Sequence, residues 1–151
     1  MRVLTRAAMG AILFALAGGA QAQDLTGEVW SVCGDDGVFT WHDTRLVFTE
    51  QVPADNGMEL SGYFDWRSSG GHNGREQFTG FIDADGAVVL QGLEIGGTNL
   101  VTSRYLARLA ESGTTIVEGV WLDGAPGIWA AVRDGGAGTA EPLCETAAQL
   151  S

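Results

Sequence analysis

The sequence predicts an all-β fold, a small antiparallel up-and-down β-barrel of about eight strands. Three observations carry that expectation. Apolar and polar residues alternate with period two: Met58, Leu60, Phe64 and Trp66 against Glu59, Ser61, Tyr63, Asp65 and Arg67, and Val101, Tyr105, Ala107 and Leu109 against Thr102, Arg104 and Arg108. Turn dipeptides cut the chain at short intervals, and no helix-length amphipathic run lies between them. Glycine also recurs in mid-strand, where a strand must coil or let another backbone approach, as small closed barrels require.

The strands follow in order. The first, near residues 25–32, ends before Asp35-Asp36-Gly37, and the second covers 38–49 up to Asp55-Asn56-Gly57. A third spans 58–67 and stops at Ser69-Gly70-Gly71, and a fourth covers 76–83 before Asp85-Gly86. The fifth, at 87–95, meets Gly96-Gly97, and the sixth, at 100–110, meets Ser112-Gly113. The seventh covers 115–122 before Asp123-Gly124, and the eighth covers 127–133. The apolar-x-Gly-x pattern sits in five of them, as Leu25-Thr26-Gly27, Leu60-Ser61-Gly62, Phe78-Thr79-Gly80, Leu90-Gln91-Gly92 and Val117-Glu118-Gly119. Strands in hairpin sequence without crossover helices point to a barrel, with a two-sheet β-sandwich as the alternative. The best helical candidate is the short tail after Cys144.

Residues 1–22 read as an export signal. Arg2 and Arg6 form a basic start, an apolar stretch follows over 7–18, and Ala20-Gln21-Ala22 offers a small-x-small cleavage site. The stretch is too short to span a bilayer. The expected layout is therefore a signal peptide at 1–22, a barrel at 23–134 and a Gly/Ala-rich tail at 135–151, in a periplasmic or secreted protein with no membrane insertion after cleavage. The chain has no lysine, and its formal net charge is −11. Loss of Arg2 and Arg6 makes the remainder more acidic still. Such a charge disfavours nucleic acid and anionic lipid, and the missing lysine removes Schiff-base and P-loop chemistry.

Cys33 and Cys144 form an even pair in a chain expected to be exported, which reads as a disulfide. Bridged within one chain, they would staple the tail back to the first strand. An intermolecular bond and free thiols are the alternatives.

The layout, with Leu25-Thr26-Gly27 at its opening and later Gly-x-aromatic strands, resembles the calycin group and its avidin-like barrels. The resemblance covers strand order and glycines. Ser31-Val32-Cys33-Gly34-Asp35 supplies no Asn and Ser at the step where biotin-binding barrels carry them. No binding residue is carried over, and biotin is not implied.

Catalytic chemistry finds little support. There is no Gly-x-Ser-x-Gly elbow, and neither His42 nor His72 is placed beside a serine. His42 and His72 lack metal-ligand spacing, and Asp83-Ala84-Asp85-Gly86 reads as a hairpin turn rather than a calcium loop. An acid pair such as Asp65 with Glu76 is expected by chance among 19 acidic residues. The reading is a protein that is not an enzyme and has no cofactor or metal.

The aromatic load is more informative. Trp66, Tyr105 and Trp121 share their strands' apolar faces and are the expected lining of an interior cavity, with Arg104 as a partner for a ligand carboxylate at the rim. The function expected is a non-catalytic β-barrel holding a small apolar or aromatic ligand. The alternative is a protein-interaction module, such as an inhibitor of an exported hydrolase or an envelope assembly factor, acting through loops at 52–56 and 69–75.

Overall fold

Period-two alternation and the turns between folds into eight antiparallel strands in the structure, a computed structural model that describes residues 23–97, 100–133 and 139–150. The strands are β1 (Val29–Asp35), β2 (Thr40–Ala54), β3 (Gly57–Arg67), β4 (Asn73–Asp83), β5 (Ala87–Gly97), β6 (Arg104–Leu109), β7 (Thr115–Trp121) and β8 (Gly127–Arg133), followed by helix α1 (Glu141–Leu150). Each strand pairs with the next, and β1 pairs with β8 from Trp30↔Arg133 to Asp35↔Ile128. The sheet is a closed up-and-down barrel, and the two-sheet alternative falls. The expected export signal lies outside the described residues, as do positions 134–138 of the Gly-rich stretch.

β3 shows why the pattern works. Leu60, Phe64 and Trp66 are buried inside, while Glu59 and Arg67 are exposed and Ser61 and Asp65 half-buried outside. Gly62 lies on the inner face, where a Cβ would stand 2.7 Å from Phe78 Cζ and 3.1 Å from Phe48 Cα. Its bare backbone admits two phenylalanines to the core. The interior is filled by Trp30, Leu46, Phe48, Phe64, Phe78, Leu90, Ile116 and Trp129, with their neighbours. The turn after β4 is held by Asp83, whose Oδ1 accepts the Asp85 and Ala87 amides at 2.9 and 2.8 Å. That carboxylate is used by its own hairpin.

β2 runs past its expected end at residue 49 to Ala54, and β4 begins at Asn73 rather than at 76; four further elements also differ from expectation. The first strand begins at Val29, because Gly27 turns the chain with φ of 79°. Leu25 instead folds under the barrel and is fully buried in its core. Gln51 ties this segment down, accepting the Leu25 amide at 2.9 Å and donating to the Gln23 carbonyl at 2.9 Å, while Gln23 donates to Gly113 O at 3.1 Å. The end of the barrel carrying the β2–β3 and β6–β7 turns is thereby covered.

β6 starts at Arg104 rather than at residue 100, which leaves Val101 in a loop, 62% exposed. In β7 a bulge falls between Ile116 and Gly119, with Glu118 at φ of 55°. The extra residue shifts the face, so Ile116 and not Val117 is buried beside Gly119 and Trp121. The last difference is α1, which starts before Cys144. Pro142 is tolerated in its first turn, where no intrahelical amide bond is lost, and Glu141 complements the helix dipole.

Cys33 and Cys144 are bonded within the chain across a sequence separation of 111. Cys33, Ala130, Ala140 and Cys144 form a small second cluster on the outer wall, joined by Val132 and Leu143. This explains why β1 is buried on both faces. Among the described residues no helix is long and apolar enough to cross a membrane.

Candidate functional site

An up-and-down barrel sends alternate loops to the same end. The β1–β2, β3–β4, β5–β6 and β7–β8 connections therefore gather opposite the Leu25 plug, and a cavity of about 190 Å³ opens among them. Each loop contributes to it. Asp36 and Phe39 come from the first, His72 from the second, Leu100, Val101 and Ser103 from the third, and Asp123 and Ala125 from the fourth. The walls below are Trp41, Trp66, Ile95, Tyr105 and Trp121, with Glu76 beneath.

The aromatic walls are packed against one another. Trp66 stacks on Phe64 at 4.7 Å and on Tyr105 at 5.8 Å. Trp41 meets Trp66 and Trp121 edge-on at 5.5 and 6.4 Å, and Trp66 meets Trp121 at 5.9 Å. His72 stands edge-on to Phe39 at 4.9 Å. The indole N–H groups that face polar atoms are used: Trp41 Nε1 donates to Asp36 Oδ2 at 3.1 Å, and Trp121 Nε1 to the Ala125 carbonyl at 2.6 Å.

Glu76 is the unexpected member. It is fully buried (0% exposed) on the inner face of β4, in phase with Phe78, Gly80 and Ile82. Three donors surround its carboxyl. Trp66 Nε1 donates to Oε2 at 2.9 Å, the Tyr105 hydroxyl to Oε2 at 2.5 Å, and the Ser103 amide to Oε1 at 2.9 Å. Gly92 of β5 makes the space, because a Cβ there would overlap the carboxyl. Burial pushes the Glu76 carboxyl above its usual value, and the bonds from Tyr105, Ser103 and Trp66 draw it part of the way back. Burial, reinforced by Glu76, pushes the Tyr105 phenol far upward, so its hydroxyl stays a donor.

The structure brings Trp66, Tyr105 and Trp121 together at this cavity. Arg104 stands elsewhere. It is exposed on the outer face of β6, where its Nε donates to Gln91 at 3.3 Å, because strand neighbours point to opposite sides. Asp65 and Glu76 are likewise separated by the wall: Asp65 lies outside, bonded to Arg75 at 2.7 and 2.8 Å. Sequence reasoning missed Trp41, His72 and Glu76. For Glu76 a signal existed, a single acid on the apolar phase of an alternating strand. His42 lies outside this cavity, and among the described residues no group of three or more His, Cys, Asp and Glu side chains gathers to hold a metal.

No protein-family model, no curated protein and no solved structure matches this chain.

Proposed function

We propose that the protein is an exported, non-catalytic binding barrel that holds a small aromatic or apolar ligand at its open end. One observation carries this reading: a cavity walled by Trp41, Trp66, Tyr105 and Trp121 remains at the mouth of a barrel that is otherwise filled. An engineered apolar cavity of about 150 Å³ accommodates benzene, so a space of about 190 Å³ suits a ligand of one ring or a compact alkyl group. Among the described residues no serine hydroxyl shares a hydrogen bond with a histidine ring, and Ser103 Oγ accepts the Asp123 amide at 3.0 Å. Export is supported by the disulfide, and insertion into lipid is opposed by the exposed Glu59 and Arg67 and half-buried Asp65 on the outer face of β3.

Tryptophan fluorescence and thermal shift with indole, benzyl alcohol and cyclohexanol test the proposal, with Trp66→Phe and Trp121→Phe as controls. Saturable quenching that weakens in both variants is expected. The absence of quenching and of any thermal shift near the solubility limit, with these neutral probes and with a quaternary ammonium probe alike, would sink the cavity reading. Docking of another exported protein would then lead, through the open-end loops where Val38 and Val101 are 73% and 62% exposed.

A further inference from the structure

We propose that the ligand of this cavity is a small organic cation, an alkylated ammonium group held among the indoles over the Glu76 carboxylate. The proposal rests on the binding reading above and assigns the ligand's charge.

Glu76 is the first reason. A buried carboxylate is costly unless a cation answers it. All three groups bonded to Glu76 are neutral donors, an arrangement that suits the ionised carboxylate, which only accepts. Among the described residues Glu76 has no ion-pair partner, no arginine lines the cavity, and the chain contains no lysine. The protein supplies every hydrogen bond the carboxylate needs and leaves out its counter-charge. A cation seated in the cavity supplies it.

The walls are the second reason. Indole faces carry negative potential and attract ammonium groups, most strongly where water is excluded. Three tryptophans and Tyr105 line this one space.

The rim points the same way. Asp36 and Asp123 are both pinned, Asp36 by the Val38 and Phe39 amides at 2.9 and 2.7 Å, Asp123 by the Arg104 amide at 3.1 Å. With Glu76 they place three carboxyl groups around the cavity, against one side chain, His72, that can become positive. An anion would meet repulsion at rim and floor. The chain's formal net charge of −11 steers cations inward as well. A bare metal ion is a poorer fit, because the Glu76 oxygens are occupied by N–H and O–H donors and, among the described residues, no group of three or more His, Cys, Asp and Glu side chains gathers to hold one.

The test compares choline with 3,3-dimethylbutan-1-ol, in which a carbon replaces the charged nitrogen at nearly constant shape. Titration calorimetry with tryptophan fluorescence should show choline binding at least about tenfold more tightly than the alcohol. Glu76→Gln should lower choline affinity by about tenfold and leave the alcohol nearly unchanged. Equal affinity for the two probes, or preference for the alcohol, overturns the proposal, and so does an unchanged choline-to-alcohol ratio in Glu76→Gln. The wild-type ratio decides alone if that variant does not fold. Binding of neutral rings without choline removes only the charge assignment. Silence from every probe removes the binding reading with it.

Discussion

The Tyr105 hydroxyl on β6 donates to Glu76 Oε2 on β4 at 2.5 Å, reaching past β5. With Trp66 of β3 and the Ser103 amide, it makes one carboxyl the meeting point of three strands, β3, β4 and β6, and of the loop between β5 and β6. Polar knots of this kind are stabilising only when every member is satisfied.

Removing the hydroxyl should therefore be costly. Tyr105→Phe keeps the ring stack on Trp66 but leaves Oε2 with a single donor. A loss of about 1.5–3 kcal/mol in urea denaturation is expected, the range for a hydrogen bond to a charged group. A loss under about half a kcal/mol would show that the bond contributes nothing net.

Gly92 offers a sharper contrast. A methyl group there overlaps the Glu76 carboxyl and crowds the Ser103 amide at 3.0 Å, whereas one on Gly96 of the same strand meets nothing within 4 Å. Gly92→Ala should cost about 1–3 kcal/mol, and Gly96→Ala should stay within about half a kcal/mol. Thermal unfolding of the two variants side by side checks this. Equal shifts would mean that the carboxyl is not where the structure puts it.

The raised Glu76 carboxyl has a consequence for pH. The folded chain holds this proton more tightly than the unfolded chain does. Its contribution to stability is whole below the ordinary value of 4.5 and is lost as pH rises through the higher folded value. Asp24 works in the opposite sense, because the Thr26 hydroxyl and amide lower it. Comparing wild type with Glu76→Gln cancels Asp24. Denaturation from pH 4.5 upward should show wild type losing ground to the variant and then levelling off. A difference that does not vary with pH would contradict the linkage.

The disulfide closes a separation of 111 residues, for which the chain-entropy model gives about 4–5 kcal/mol. Cys33 lies on the outer wall, away from the cavity. The Cys33→Ser, Cys144→Ser double variant should lose about 2–5 kcal/mol and free α1 to exchange its amides, while quenching by a cavity ligand is retained. Loss of quenching in protein that is still folded would place the bridge in the binding machinery.

Legibility followed locality. β8 ends where its turn signals put it, and β3 within one residue, because alternation and neighbouring glycines decide such strands without help from the rest of the chain. Leu25 could not be read as a plug, since its burial depends on Gln51 and Gly113 far along the sequence. The β7 bulge inserts one residue and reverses the phase of Val117, an event that periodicity does not announce. Trp66, Tyr105 and Trp121 were legible as inward rings. The space between them was not, because it is the residue of how bulky side chains from different strands fail to fill one end. Arg104 was misplaced by giving weight to its chemistry over the alternation that already assigned its side.

The buried Leu25 has a further effect. With that end of the barrel stoppered, the cavity is a blind well, and a ligand leaves by the route it entered. For a ligand held there as proposed, residence time would be set by the four loops around one mouth and not by the strands beneath them. Substitutions in those loops can retune exchange and selectivity at little cost to the opposite half, where the chain is anchored.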